Sequence, residues 1–227
     1  MNPVQVFLSA SASSSLLTVT NESPETLRFQ ITVFSWNQNE KGQMKLEPTS
    51  DIVFFPALLS LAPKEEKKVR VGATVSVGSV EKTYRIFFEE LPPLEKPKEG
   101  PPKSASVQVL TKMGIPIFVA PAKLSASGAI QDIAVKQGTL SFKVANTGNA
   151  HFTVQAVRVK GLAEGGQPIF DRQAEGWYVL AGGVRLYEMP TTKEDCARMK
   201  KVAVEAQTDR ETLSAAADVP PGACAAP

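Results

Sequence analysis

Two stretches decide the fold: Tyr84-Arg85-Ile86-Phe87-Phe88-Glu89-Glu90-Leu91-Pro92 and, after a polar interval, Ser104-Ala105-Ser106-Val107-Gln108-Val109-Leu110-Thr111-Lys112-Met113. Both are short, rich in aliphatic, aromatic and β-branched residues, and bounded by proline or glycine, which is the pattern of strands. The second alternates, with Ala105, Val107, Val109, Thr111 and Met113 on one face and Ser106, Gln108, Leu110 and Lys112 on the other. The interval Leu94 to Lys103 is charged and proline-rich, can bury little apolar area, and is expected to be mobile.

The same texture extends in both directions. Upstream, strands are expected over Val4 to Leu8, Leu16 to Thr20, Leu27 to Trp36, Ile52 to Phe55, Lys67 to Val71 and Lys82 to Glu89. Asn21-Glu22-Ser23-Pro24, Asn37 to Gly42 and Ala62-Pro63-Lys64 are the turns between them. After Pro121 the pattern restarts with Ile133 to Val135, Leu140 to Ala145, Thr153 to Val159, Trp177 to Leu180, Val184 to Met189 and Lys200 to Thr208. Only Thr192 to Lys201 offers a helical turn, with too few apolar residues for a buried face. An all-β chain of 227 residues accommodates two sandwiches of about 100 residues each. The expected domains are 1–121 and 122–227.

Composition narrows the function classes. Hydrophobic residues at 43% and charged residues at 21% are those of a globular protein with an ordinary core. A formal net charge of +2 gives no general case for nucleic acid or a membrane surface as partner. The longest apolar run, Ile52 to Leu61, is broken by Pro56 and falls well short of the ~20 residues that span a bilayer. The start, Met-Asn-Pro-Val-Gln-Val, has neither the charged nor the apolar region of a secretion signal, so any such signal is expected to lie outside this sequence. Cys196 and Cys224 read as one disulfide made in an oxidising compartment, with two free thiols as the alternative.

Three stretches of the first domain lie far apart in sequence and are read together. The first is Leu16-Leu17-Thr18-Val19-Thr20-Asn21 followed by Arg28-Phe29-Gln30-Ile31-Thr32-Val33. The second is Phe54-Phe55-Pro56-Ala57-Leu58-Leu59-Ser60-Leu61-Ala62-Pro63 with Val69-Arg70-Val71. The third is the Tyr84 to Pro92 stretch. In their order they resemble periplasmic pilus-assembly chaperones of the chaperone/usher (PapD-like) type. Val144-Ala145-Asn146-Thr147-Gly148-Asn149 is similar to the family's Asn-containing turn in the second domain. Tyr84-Arg85 and Gly114 to Phe118 are similar to the branch described as archaic.

The resemblance implies two immunoglobulin-like domains set at an angle, in an L or boomerang shape, with an elbow near Ala120 to Lys123. It implies a periplasmic protein that completes an unfinished pilus subunit with one of its own strands and delivers it to an outer-membrane usher. The sequence leaves two states open for the free protein, a monomer with that strand uncovered and a self-dimer that caps it. By position, Val107 and Val109 fall on the donor residues, flanked by Ala105 and Thr111. The family's basic anchors for a subunit carboxylate do not carry over: Gln5, Pro116 and Ala120 stand where basic residues are usual. Arg85, and after it Lys112, are the remaining candidates to hold the carboxylate. Arg70 is read as a screened surface charge.

Catalysis has little to build on. His151 is the only histidine, no GxSxG elbow accompanies it, and it is read as a turn or surface residue. No HExxH, CxxC, GxxxxGK[ST] or GxGxxG occurs, so neither metal nor cofactor is expected, and Gly161 to Gly166 is only a loose turn. Glu89 and Glu90 point to opposite faces of a strand and cannot converge on one bond. The competing readings are a structural or adhesive two-domain surface protein or pilus component and, more remotely, a hydrolase on a β scaffold. A pilus subunit is expected to carry its own N-terminal donor extension, which Met1 to Pro3 does not supply.

Overall fold

The computed structural model describes residues 1–92 and 109–224. The proline-rich interval, and with it Ala105 and Val107 of the expected donor strand, lies outside the described residues. Among the described residues, seventeen strands and one short helix follow in chain order. The first nine strands are β1 (Val6–Leu8), β2 (Ser14–Thr20), β3 (Leu27–Gln38), β4 (Met44–Pro48), β5 (Ile52–Phe55), β6 (Leu58–Leu61), β7 (Glu66–Ala73), β8 (Lys82–Glu90) and β9 (Lys112–Val119). The others are β10 (Gly128–Lys136), β11 (Thr139–Asn146), β12 (Phe152–Leu162), β13 (Pro168–Glu175), β14 (Tyr178–Val179), β15 (Val184–Pro190), β16 (Lys201–Thr208) and β17 (Thr212–Asp218), with α1 (Lys193–Arg198) before β16.

The described chain divides into two compact units. One holds residues 1–36, 46–78 and 82–122; the other holds residues 37–45, 79–81 and everything from Lys123 onward. In the first unit, a sheet ordered β1-β9-β8-β3-β4, with β6 also paired to β3, faces a three-stranded sheet ordered β2-β7-β5. Alternate residues of both sheets meet in one core: Val6, Leu8, Ile31, Tyr84, Ile86, Phe88, Ile115 and Ile117 from the larger sheet, Leu17, Val19, Val69 and Val71 from the smaller. The Tyr84 hydroxyl donates to Asp51 Oδ2 at 2.7 Å. Burial, and then that hydrogen bond and charge, hold this phenol far above its ordinary range.

Asn21 closes the turn after β2. Its amide donates to the carbonyls of Glu25, Leu61 and Ala62, and its Oδ1 accepts from Ser23 N, so a buried polar side chain is satisfied four times over. Asn146 repeats the device in the second unit, donating to Ala150 O and Val179 O and accepting from Gly148 N.

The second unit pairs a sheet ordered β10-β11-β15 with one ordered β13-β12-β16-β17, to which β14 adds through β12. Its core runs through Leu140, Phe142, Val157, Val159, Val202 and Val204. The helical turn is capped by Thr192, whose hydroxyl accepts from Asp195 N at 3.0 Å. Cys196 on α1 is bonded to Cys224, tying the end of the described chain to the core without a broad apolar helix face.

His151 corrects the reading from sequence. It is 4% exposed rather than a surface residue, and its Nδ1 lies 2.6 Å from a Glu81 carboxylate whose side chain is 5% exposed. The ladder between residues 104 and 113 needs a correction too. The described residues Val109 to Thr111 lie outside any strand, and the strand runs from Lys112 through Pro116 to Val119.

Candidate functional site

The site is built where β9 meets its neighbours in the first unit. Along one side β9 pairs antiparallel with β8, from Glu89↔Lys112 to Lys82↔Val119. On its other side β1 pairs parallel with Ile117, Phe118 and Val119 only. Hydrogen-bond direction alternates along a strand, and two bonds fix the phase here. Glu90 N donates to Thr111 O on the β8 side, and Ala120 N donates to Leu8 O on the β1 side. Odd-numbered residues of β9 therefore bond to β8, whereas the backbone groups of Lys112 and Gly114 point to the side of β1, ahead of its reach. No strand among the described residues covers that edge.

Pro116 fits this phase. A proline inside a sheet must sit where its missing N–H is not needed. Opposite Arg85 it occupies a position whose nitrogen faces away from β8, so β9 passes through it without losing a bond to that neighbour.

The side chains of these strands that do not enter the core form a second, aromatic layer. Phe34 and Trp36 come from β3, Arg85 and Phe87 from β8, Phe118 from β9 and Phe7 from β1. Phe7 stacks on Phe118 at 5.5 Å between centroids, Trp36 and Phe118 lie 6.2 Å apart, and Phe34 meets Phe87 edge-on at 6.0 Å. Arg85 lies among them, its guanidinium carbon 4.5 Å from the centre of the Trp36 ring. It is 8% exposed, so it is not a solvated surface charge. A guanidinium held against aromatic faces in a low-dielectric setting is suited to a carboxylate or a carbonyl dipole, whose attraction is not screened there.

Lys112 is placed differently. Its ammonium pairs with Glu89 at 2.9 Å, both side chains more than half exposed, and lies 5.3 Å from the Phe87 ring centre. Four residues of strand, about 13 Å, separate its position from the Arg85 level of the ladder. The two basic candidates share a face but do not converge. Of the expected donor residues, Val109 is 81% exposed, and Thr111, also exposed, donates its N–H to Glu90 Oε2. Met113, on the same face by alternation, packs against the core of its own unit.

Arg70 is exposed on β7 of the smaller sheet. Among the described residues, no three of His, Cys, Asp or Glu gather as a metal site. Trp36, Phe118 and Gly114 belong to the site; the sequence reading quotes Gly114 and Phe118 only within the stretch similar to the archaic branch, and names none of the three as a site residue. They come from strands far apart in the chain, and only the β3-β8-β9 ladder brings them together.

Among the described residues, fold and edge together define a protein of two β-sandwich units in which β9 is left uncovered at Lys112 and Gly114. The family profile of pili and flagellar-assembly chaperones, PapD N-terminal domain, matches residues 1–125, and the chain belongs to that family, whose members are chaperones of pilus assembly. No curated protein sequence matches the chain.

Solved structures share the fold at low identity. A chain in the chaperone–tip adhesion subunit pre-assembly complex CsuC-CsuE, from the archaic chaperone-usher Csu pili of Acinetobacter baumannii, is 16% identical with a TM-score of 0.64, covering 96% of this chain and 95% of that one. The E. coli chaperone DraB is 18% identical with a TM-score of 0.57, covering 94% and 95%. A chain in the Salmonella enterica complex of the SafA pilin with the SafB chaperone is 14% identical with a TM-score of 0.56, covering 93% and 92%.

Proposed function

We propose that this protein works in the periplasm, where it captures pilus subunits by adding the strand that leads into β9 to their incomplete sandwich and hands them to an outer-membrane usher. The single observation that carries this reading is the bare edge of β9 at Lys112 and Gly114, beside Arg85. A subunit strand pairing there continues the ladder of the larger sheet, since the backbone groups already point outward. The residues before Lys112 then supply side chains to the subunit's groove: Ala105, Val107, Val109 and Thr111. Val109 is available for this, because most of its surface faces solvent.

Arg85 receives the subunit's terminal carboxylate in this reading, and Lys112, already engaged with Glu89, is the weaker anchor. Residues 1–121 form the capturing domain and 122–227 the second one. Tyr84-Arg85 and Gly114 to Phe118 place the chain nearer the archaic branch. Binding is the whole activity: no bond of the subunit is made or broken, and no cofactor or nucleic acid takes part. When free, two copies cover each other's donor edges.

The test is co-expression with a pilus subunit, followed by purification of the complex. Arg85→Ala is expected to lower the yield of complex several-fold while Arg70→Ala leaves it near wild type. Equal yields for the two variants remove Arg85 from the site.

A further inference from the structure

Gly114 has no conformational reason to be glycine, because its backbone does not adopt the left-handed region. Its reason is space. A Cβ at this position would lie 2.7 Å from Phe87 Cε1, 3.1 Å from Phe87 Cδ1 and 3.4 Å from Arg85 Nη1. The Phe87 ring therefore lies across the bare Cα of β9, in the close cross-strand pair that Phe87 and Gly114 form. On its other sides that ring meets Phe34 edge-on and the Lys112 ammonium. By register Phe87 stands between the levels of Arg85 and Lys112 on this face, and the Arg85 guanidinium lies over the Trp36 ring.

We infer that Gly114 is a positioning residue for subunit capture: by lacking a side chain it leaves the Phe87 side chain room over β9, so that the ring does not displace the Arg85 guanidinium from the face of Trp36. Any Cβ forces the ring to shift by several tenths of an ångström, in a layer where Phe87 has Phe34 behind it and little room to give. The ring then pushes on Arg85 or overhangs the Gly114 backbone groups that a subunit strand must reach. This inference rests on the reading of Arg85 as the anchor.

The test is a pair of variants with two readouts. Gly114→Ala is expected to lower the yield of complex with the co-expressed subunit roughly tenfold, a typical consequence of overpacking a filled site. Gly114→Ala combined with Phe87→Leu, which removes the ring and leaves an apolar wedge, is expected to restore most of that yield. The second readout needs no subunit. In a Trp177→Phe background the emission of Trp36 reports the guanidinium beside it, so Gly114→Ala shifts it and the added Phe87→Leu returns it toward the parent value.

Full capture by Gly114→Ala, or a double variant no better than the single one in both readouts, overturns the inference. If Arg85→Ala leaves capture intact while Gly114→Ala still moves the Trp36 signal and is still rescued, the anchor reading fails and the packing role of Gly114 stands.

Discussion

Val109→Asp separates binding from folding. In the free protein Val109 is 81% exposed and outside any strand, so an aspartate there loses no contact with the core. Its effect on stability is expected to stay within about 0.5 kcal/mol, as for ordinary surface substitutions. In the captured complex the same side chain fills an apolar groove, where losing a valine costs roughly 1.5 to 3 kcal/mol. Placing a polar group in that groove without a partner adds at least about 2 kcal/mol. Together these weaken the complex by roughly 4 kcal/mol or more, a thousandfold or greater loss of affinity. The assay is a urea melt of the free variant beside co-purification with the subunit. An unchanged melt with complex abolished is the expected pair of results. An unchanged yield refutes the donor assignment, and a destabilised free protein shows that Val109 belongs to its own core.

Other consequences are independent of the subunit. His151→Ala removes the imidazole from the buried Glu81 side chain, and loss of that hydrogen bond costs about 1.5 to 3 kcal/mol, readable as a lowered urea midpoint; a loss below about 0.5 kcal/mol contradicts the pairing as described. The Tyr84 hydroxyl is held above its unfolded value by burial and by Asp51, so its stabilising contribution is complete below pH ~10 and is lost as pH rises through the folded value. Stability of the wild type is therefore expected to fall more steeply above pH 10 than that of Tyr84→Phe, and parallel curves refute the assignment.

The fold was legible wherever apolar alternation and turn chemistry coincided. Ile52 to Phe55, Leu27 to Trp36 and Lys82 to Glu89 read as strands and are strands, and Thr192 reads as the start of the one helical turn. The strands that escaped notice have weak patterns. β4 is exposed at every position, and β17 carries three alanines and pairs only with β16, so both exist because a neighbouring strand offers them a ladder.

The end of the donor strand was misplaced for a related reason. The alternation from Ser104 to Met113 ends its reading at Met113, yet the core-facing series Met113, Ile115, Ile117 and Val119 runs straight through Pro116, because the proline nitrogen falls on the side away from β8. Of the site, Arg85 could be singled out by position, but its aromatic surroundings could not, since Trp36 and Phe118 reach it only through cross-strand register. His151 shows the limit most plainly: nothing in its local sequence signals Glu81, whose place beside it is set by the fold of the second unit.

Two backbone amides decide whether the edge of β9 is open, and amide hydrogen exchange reads them directly. In the free monomer Lys112 and Gly114 are expected to exchange fast, while Met113 and Ile115, bonded to β8, are protected. Adding the subunit should protect Lys112 and Gly114 and leave their odd-numbered neighbours unchanged. Slow exchange at Lys112 and Gly114 in the free monomer, or no gain in protection once the complex with the subunit has formed, contradicts an open edge that another chain completes.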